Sequence, residues 1–184
     1  MIIGICGKSG CGKSTLARLI KETHKDAIHL EIDKVGHNAL KDELVKEKLV
    51  ETFGEKILDE NTVSRKKLGE IVFVNRKQMD KLTEITWECM QRQIDEFLSN
   101  NKDKIIILDW LLLTKSKYFD MCDIKVLIDI PYEVRLKRAM KRDNITKEAF
   151  DLRESASIDF DQSKFDYVFK ENSKNEIKRL VNKL

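Results

Sequence analysis

A glycine-rich segment near the start of the chain limits the possible folds more than any other feature. Residues 7–15 read Gly-Lys-Ser-Gly-Cys-Gly-Lys-Ser-Thr, which fits the spacing GxxxxGK followed by Ser or Thr. An apolar run of strand length precedes this segment, and a helix-like run over 13 to about 24 follows it. This order is typical of a loop that binds the phosphates of a nucleoside triphosphate. A plain turn between strand and helix explains the glycines but not the Gly-Lys-Ser-Thr run.

The residue types of this phosphate loop suit anion binding. Its glycines let the backbone adopt positive φ, so that successive N–H groups form a concavity for phosphate. Lys13 supplies a charge for the β- and γ-phosphates, and the Ser14 hydroxyl is expected to bind a Mg²⁺ that bridges them. The expected ATP-binding residues of the loop are Ser9, Gly10, Cys11, Gly12, Lys13, Ser14 and Thr15.

Short apolar runs separated by helix-like sequence predict a parallel sheet, because helices normally supply the crossovers between parallel strands. The runs lie at residues 2–6, 27–32, 104–109, 124–129 and, more weakly, 167–169. Between residues 34 and 100 apolar side chains recur at helical spacing without a comparable strand run. The expected fold is therefore α/β, a three-layer fold of the P-loop nucleoside triphosphate hydrolase type with a five-stranded parallel sheet, a helical insertion and an Arg-rich lid.

The length of 184 residues allows one substantial core, with at most a small appended lobe. We expect a single domain with a nucleotide-binding core over 1–33 and 101–184. The helical insertion, over 34–100, is expected to bind the acceptor, and the lid to cover about 132–160. Residues 175–184 predict a final amphipathic helix.

The basic segment after the fourth strand run predicts the lid. Arg135, Arg138 and Arg142 are three and four residues apart, so a helix places them on one face. Pro131 can begin that helix, and Thr146 can cap the next one. Guanidinium groups on one face can close over a triphosphate, whereas the alternative is a solvated basic face. The phosphate loop favours the lid.

Aspartates at the ends of the strand runs are candidate catalytic and metal-binding groups. Carboxyl ends of parallel strands meet at one edge of a sheet, so Asp33 and the phosphate loop are expected to face one cleft. Asp33 is placed to accept a proton from an attacking hydroxyl, or else it caps the next helix. Asp109 resembles carboxylates that hold Mg²⁺ through water, but Asp129 has an equal claim by spacing alone.

Charge and cysteine usage narrow the class of protein further. The chain has 35 Lys and Arg against 32 Asp and Glu, a net charge of +3, which argues against a nucleic-acid partner. Its cysteines form no CxxC pair, which favours a reducing compartment. Without a signal peptide or a long apolar stretch, we expect a soluble, cytoplasmic protein with no membrane partner, and a monomer.

One cysteine lies inside the phosphate loop and has two interpretations. Cys11 is near a lysine and a helix N-terminus, conditions that lower the pKa of a thiol, so one hypothesis is a reactive cysteine that makes nucleotide binding sensitive to oxidation. The other interpretation, a small residue tolerated at a variable position of the loop, is favoured.

Together with these residues, an ordered series of short segments makes the chain resemble the dephospho-coenzyme A kinase family along nearly its whole length. Their order and spacing carry the resemblance more than any one of them. After the phosphate loop they are residues 31–37, Phe53-Gly54, Ile57-Leu58, Ser64-Arg65, residues 68–73, 82–86 and 107–113, Arg138 with Arg142-Asp143, and residues 166–168 with Asn172-Ser173.

The resemblance implies transfer of the γ-phosphoryl group of ATP to the 3′-hydroxyl of dephospho-coenzyme A, the last step of coenzyme A synthesis. It implies Asp33 as the base, Lys13 and Arg142 as stabilisers of the transition state, and Ser14 and Asp109 as Mg²⁺ ligands. Arg138, Arg142 and Asn172 are implied as further ATP-binding residues. The acceptor, a small molecule, is expected to contact Asp33, His37, Arg65, Trp87, Asp109 and Leu112.

Several positions on the acceptor side depart from the family pattern, whereas the ATP side matches it. Trp87 and Glu88 stand where the family usually has His and Pro, Leu111 replaces a Pro, and Lys115 replaces a Glu. Two alternatives therefore stay open. One is a kinase of another small molecule or of a nucleoside monophosphate, and the other is a catalytically inactive protein that binds nucleotide or coenzyme.

Overall fold

The computed structural model describes residues 1–74, 76–155 and 157–184. These residues form two compact units, one made of Met1–Glu31 with Asn101–Leu184 and the other of Ile32–Asn100. The strands are β1 (Ile2–Cys6), β2 (Ile28–Glu31), β3 (Leu58–Asp59), β4 (Thr62–Val63), β5 (Ile106–Asp109), β6 (Ile124–Ile128) and β7 (Tyr167–Phe169). The α-helices are α1 (Lys13–Thr23), α2 (Ile32–Ala39), α3 (Glu43–Phe53), α4 (Arg65–Val72), α5 (Arg76–Ser99), α6 (Lys117–Asp120), α7 (Tyr132–Asp143), α8 (Lys147–Ser155) and α9 (Lys174–Lys183).

The first unit is built on a parallel sheet with the strand order β2-β5-β1-β6-β7. The central strand, β1, pairs with β5 through Ile3 and Ile107 and with β6 through Ile3 and Ile124. Ile3 and Ile5 have no exposed surface, as expected for a strand covered on both faces. The prediction of a five-stranded parallel sheet is confirmed.

Helices and loops cover both faces of this sheet. On one face Leu16 and Ile20 of α1 and Leu180 of α9 share a buried cluster with Ile3 and Ile5 of β1. On the other face the segment after β5 lies so close that a Cβ on Gly4 would be 2.7 Å from the Sγ atom of Cys122. The three-layer α/β arrangement predicted from the sequence is therefore present.

The second unit is largely helical, and its long helix α5 contacts α2, α3 and α4. Buried side chains of these helices include Val35, Leu49, Leu68 and Ile94. In the described part of residues 34–100 no strand is as long as those of the parallel sheet, but two very short strands are present. Strands β3 and β4 form a small antiparallel hairpin in which Leu58 pairs with Val63. Strands of two residues are too short for a pattern of alternation to reveal them.

Helices α7 and α8 follow the strand β6 within the first unit. Helix α7 begins directly after Pro131, and Oγ1 of Thr146 accepts a hydrogen bond of 3.3 Å from the backbone N–H of Ala149 in α8. Both predicted helix starts are confirmed. Leu136 and Ala139 of α7 pack on Phe150 of α8. In the described part of the chain, no helix has both the length and the apolar character that a membrane crossing requires.

Candidate active site

The phosphate loop lies at the carboxyl end of the central strand and has the backbone that phosphate binding needs. Gly7, Gly10 and Gly12 have φ angles of 149°, 77° and 110°, all positive as predicted. A side chain at Gly10 is excluded on a second ground, because a Cβ there would be 2.5 Å from the carbonyl oxygen of Arg135. Lys13 Nζ donates a hydrogen bond of 2.9 Å to the carbonyl oxygen of Gly7 and so folds back over the loop.

Three predicted site residues meet beside the first turn of α1. The Ser14 hydroxyl donates a hydrogen bond to Oδ2 of Asp109 at 3.4 Å, and Lys13 Nζ lies 3.8 Å from Oδ1 of the same carboxylate. Asp109, the last residue of β5, is only 5% exposed. A buried carboxylate between a lysine and a serine of the phosphate loop is well placed to interact with a metal–triphosphate complex.

The structure distinguishes between the two strand-end aspartates that spacing alone left equal. Asp129, after β6, accepts a hydrogen bond of 3.0 Å from Nε2 of Gln162 and forms an ion pair with Lys170. Both of these partners come from the C-terminal part of the first unit. Asp109 is therefore the carboxylate that belongs with the phosphate loop.

The donor set around Asp109 fits a magnesium ion. Mg²⁺ prefers oxygen ligands and is commonly held by one or two protein groups together with substrate phosphates and water. Ser14 and Asp109 offer a hydroxyl and a carboxylate of this kind. The described residues contain no group of three or more His, Cys, Asp or Glu side chains that could hold a metal ion. A metal ion at Asp109 would therefore also need phosphate and water ligands.

The packing of Cys11 argues against a reactive thiol and for the favoured interpretation. The residue is 2% exposed, and burial raises the pKa of its thiol, an effect that the nearby Lys13 offsets only in part. The local sequence indicated the influence of Lys13 but not the packing of the thiol beneath the loop. Cys6, Cys89 and Cys122 are likewise free and buried.

The arginines of α7 differ in their contacts, so they do not form a single phosphate-binding face. Arg135 is buried, and its guanidinium donates to both carboxylate oxygens of Glu154, at 2.7 and 2.8 Å, and to the carbonyl oxygen of Ile130 at 2.9 Å. The expectation that Arg135 closes over a triphosphate is therefore wrong. Its side chain instead joins α7 to α8 and, through a 3.3 Å contact with the carbonyl oxygen of Ser9, to the phosphate loop.

Arg138 and Arg142 have different surroundings from Arg135. Arg138 donates to the carbonyl oxygen of Cys11 at 3.3 Å, so it lies against the phosphate loop. Arg142 is exposed and donates to the carboxylate of Asp143 at 2.7 and 2.9 Å. Asp143 also accepts from Arg153, and its hydrogen bonds to Arg142 and Arg153 lower its pKa to about 2.

Most of the predicted acceptor residues lie in the second unit. Asp33 is the exposed second residue of α2, so it is not the residue that caps this helix. His37 of the same helix is half-buried, and burial together with the charge of Arg65 lowers its pKa. His37 and Arg65 are thus close enough to interact. Trp87 is half-buried in α5.

The remaining predicted residues lie at the carboxyl end of the sheet in the first unit. Leu112 follows β5, immediately before a 3₁₀ turn over Leu113–Lys115. Asn172 is exposed in the turn between β7 and α9. Both therefore lie on loops that leave the same edge of the sheet as the phosphate loop.

Sequence reasoning missed one residue of the site, His29. Its Nε2 atom lies 3.5 Å from Oδ2 of Asp109, and its side chain is 12% exposed. The available signal was a histidine inside the apolar run 27–32, a position where a strand of this sheet otherwise carries aliphatic residues. Histidine at such a place needs a polar partner.

The fold and the loop together define the class of protein. A parallel sheet whose central strand leads into a glycine-rich loop, a lysine and a serine, with a strand-end aspartate beside them, is the nucleotide site of a P-loop kinase. The family model described as dephospho-CoA kinase matches residues 1–176. The chain belongs to the dephospho-CoA kinase family, as the resemblance predicted.

Individual relatives agree with this membership. A dephospho-CoA kinase of Fusobacterium nucleatum is 35% identical over 176 residues, which cover 94% of this chain and 90% of the relative. One from Aquifex aeolicus is 38% identical over 154 residues, or 82% of this chain and 77% of the relative.

Solved structures support the fold. A crystal structure from Thermus thermophilus superposes with a TM-score of 0.80 at 24% identity and covers 100% of this chain and 97% of its own. Dephospho-CoA kinase from Campylobacter jejuni gives a TM-score of 0.59 at 23% identity, with coverage of 99% and 94%. At these identities the likeness concerns the fold alone.

Proposed function

We propose that this protein transfers the γ-phosphoryl group of ATP to the 3′-hydroxyl of dephospho-coenzyme A, giving coenzyme A and ADP. The observation that carries the proposal is the match to the dephospho-CoA kinase family over residues 1–176. The intact Lys13, Ser14 and Asp109 arrangement supports catalysis, because a protein that only binds nucleotide has no need to keep a carboxylate buried beside the loop.

On the nucleotide side, each role follows from a position in the first unit. The N–H groups of the phosphate loop and the amino group of Lys13 bind the β- and γ-phosphates. Ser14 and Asp109 would hold Mg²⁺, which would offset the negative charge that shifts towards the leaving ADP. Arg138 lies against the loop, and Arg142 reaches the transferred group once it leaves Asp143.

On the acceptor side, Asp33 accepts the proton of the 3′-hydroxyl as its oxygen attacks the γ-phosphorus. Asp33 is exposed at the start of α2 and offers a carboxylate oxygen as the required acceptor atom. His37, Arg65, Trp87 and Leu112 are assigned to acceptor binding. We further propose a cytoplasmic monomer that acts on this small molecule without a nucleic-acid or membrane partner.

The test is a coupled assay of ADP release with ATP, Mg²⁺ and dephospho-coenzyme A. We expect turnover, and we expect Lys13→Met and Asp33→Asn each to lower kcat by roughly a hundredfold or more. Asp33→Asn should still bind an ATP analogue, whereas the exposed Lys178→Met in α9 should leave kcat unchanged. Coenzyme A formation is confirmed by mass spectrometry of the product.

The same assay separates this function from its nearest rival, a kinase of another acceptor. The rival is favoured by Trp87, Glu88, Leu111 and Lys115, which replace residues usual in the family. Turnover with a nucleoside monophosphate or another hydroxyl compound, together with none with dephospho-coenzyme A, would overturn the substrate assignment. Absence of turnover with every acceptor, despite ATP binding, would indicate an inactive protein.

A further inference from the structure

His29 is a partly buried side chain whose purpose the proposed reaction leaves unexplained. Within the part of the chain that the structure describes, its Nε2 atom is buried and has no hydrogen-bond partner. A buried nitrogen of this kind costs free energy in any state in which it lacks a hydrogen bond, so a state that supplies one is favoured by that contact. The ring tip lies beside Asp109: Nε2 is 3.5 Å from Oδ2, although the two atoms do not form a hydrogen bond.

The sheet fixes the direction of this side chain. In the register of β2 against β5, His29 pairs with Ile107, and Glu31 pairs with Asp109. Residues two apart on a strand share a face, so His29 is the diagonal neighbour of Asp109 on one face of the sheet. The ring also borders a cavity of about 340 Å³, so it has room for the small rotation that would complete a hydrogen bond.

Asp109 contacts Lys13 and Ser14, the two side chains that are also expected to bind the nucleotide and its metal. Lys13 Nζ is 3.8 Å from Oδ1, and the Ser14 hydroxyl donates to Oδ2 at 3.4 Å. In the proposed function Lys13 moves to the phosphates and Ser14 turns its oxygen to the metal. Asp109 then needs another donor, because a carboxylate that is only 5% exposed is costly without hydrogen bonds.

We propose that His29 is a positioning residue for Asp109. When nucleotide and metal are bound, its Nε2–H donates a hydrogen bond to Oδ2 and orients the carboxylate towards the metal and its water ligands. A hydrogen bond from a neighbouring side chain to a metal-binding carboxylate fixes the orientation of the carboxylate and raises its affinity for the metal. This inference rests on the metal role of Asp109 in the proposed function.

The experiment measures metal binding directly. Mn²⁺, a paramagnetic substitute for Mg²⁺, is titrated into the protein–ADP complex, and free Mn²⁺ is followed by electron paramagnetic resonance. We expect His29→Leu, which keeps the volume but removes the donor, to weaken Mn²⁺ binding about tenfold. His29→Gln, whose amide reaches the position of Nε2, should stay within about threefold of the native protein. The affinity for ADP without metal should not change.

His24 supplies the matched control. It is a half-buried histidine of the same unit, whose ring nitrogen lies 2.7 Å from the carbonyl oxygen of Val181. His24→Leu should lower the free energy of unfolding without altering Mn²⁺ affinity. If His29→Leu does not fold, His29→Asn replaces it, because its shorter amide does not reach the position of Nε2.

Asp109→Asn distinguishes the failure of this inference from that of the proposed function. Native-like Mn²⁺ binding in Asp109→Asn would refute the metal role of the carboxylate. If Asp109→Asn weakens Mn²⁺ binding but His29→Leu binds Mn²⁺ as tightly as the native protein, the His29 proposal alone is overturned. Equal Mn²⁺ affinities of His29→Asn and His29→Gln would overturn it as well. The His29 proposal would also be overturned if His24→Leu weakened Mn²⁺ binding as much as His29→Leu does. The proposal further requires that His29→Leu has no additional effect in the Asp109→Asn background.

Discussion

The thiol of Cys11 lies inside the phosphate loop, where the surrounding chain leaves 2% of the residue exposed. Burial disfavours the thiolate and therefore raises the pKa of the group, although Lys13 acts in the opposite direction. Because the thiolate is the reactive form, the native protein contains little of the species that attacks an alkylating reagent.

We therefore expect Cys11 to resist iodoacetamide at pH 7.5 in the native protein and to react rapidly in urea. Peptide mass spectrometry of samples quenched over time measures this, and Cys122, buried and with its pKa raised by desolvation to about 12, is the internal reference. If Cys11 is alkylated in the native protein much faster than Cys122, the loop opens locally or the thiol is activated after all.

Helix α7 is fixed at its start by the buried guanidinium of Arg135. Replacement by Met should lower the free energy of unfolding by about 2 kcal/mol, because it removes both hydrogen bonds from Arg135 to the partly buried Glu154 carboxylate, which keeps its ion pair with Lys8. Urea unfolding followed by circular dichroism measures this loss. Arg18→Met is the control, since its exposed ion pair with Glu22 contributes less than about 1 kcal/mol. An Arg135→Met variant that has native stability but has lost activity would indicate instead that Arg135 contacts the phosphates of ATP.

The junction between α7 and α8 is held by Asp143, which accepts from both Arg142 and Arg153. Its pKa is lowered from 3.8 to about 2, so the interaction stabilises the fold above about pH 4 and is lost as the pH falls towards 2. Asp143→Asn should reduce the free energy of unfolding at pH 7 by about 1–2 kcal/mol, after allowance for solvent screening.

The check on Asp143 is the pH dependence of that difference. Urea unfolding of both proteins between pH 7 and pH 3 should give curves that converge as the pH drops below about 4, because the charge of the native carboxylate stabilises the fold less and less there. A constant difference across this range would mean that the Asp143→Asn substitution destabilises through altered packing and not through loss of charge.

The structure could be predicted from the sequence wherever a local pattern of residues determines it. The start of α1 at Lys13 and the bounds of the strands β1 and β7 are as predicted, because glycine content and apolar runs act over a few residues. Burial of Arg135 depends on Glu154, and the place of His29 depends on Asp109, so both result from contacts between distant parts of the chain. Charge and spacing alone could not distinguish a phosphate-binding arginine from a structural one.

The chain folds into two units, and we propose that Ile32–Asn100 supplies most of the acceptor contacts while the other unit supplies the ATP contacts. Arg65→Met should then raise the KM for dephospho-coenzyme A about tenfold and leave the KM for ATP unchanged, since a guanidinium lost from an anion site costs one charge-assisted interaction. Steady-state kinetics with each substrate varied in turn measures both constants.

Arg76→Met is the matched control for this prediction. Arg76 lies in the same unit, but it is exposed and pairs with Asp80 one helical turn away. It should change neither constant. An equal rise of both KM values in Arg65→Met would contradict a separate acceptor unit and would point to a general loss of structure.

The central position of β1 has a consequence for the order in which the protein is made and folded. The strand and its loop leave the ribosome well before their sheet neighbours β5 and β6, which begin at Ile106 and Ile124. Until β6 has been synthesised, the ATP site lacks the pair of flanking strands that supports it. Pairing of such distant segments also slows folding. We therefore expect the nascent phosphate loop to bind nucleotide only after β5 and β6 have joined the sheet.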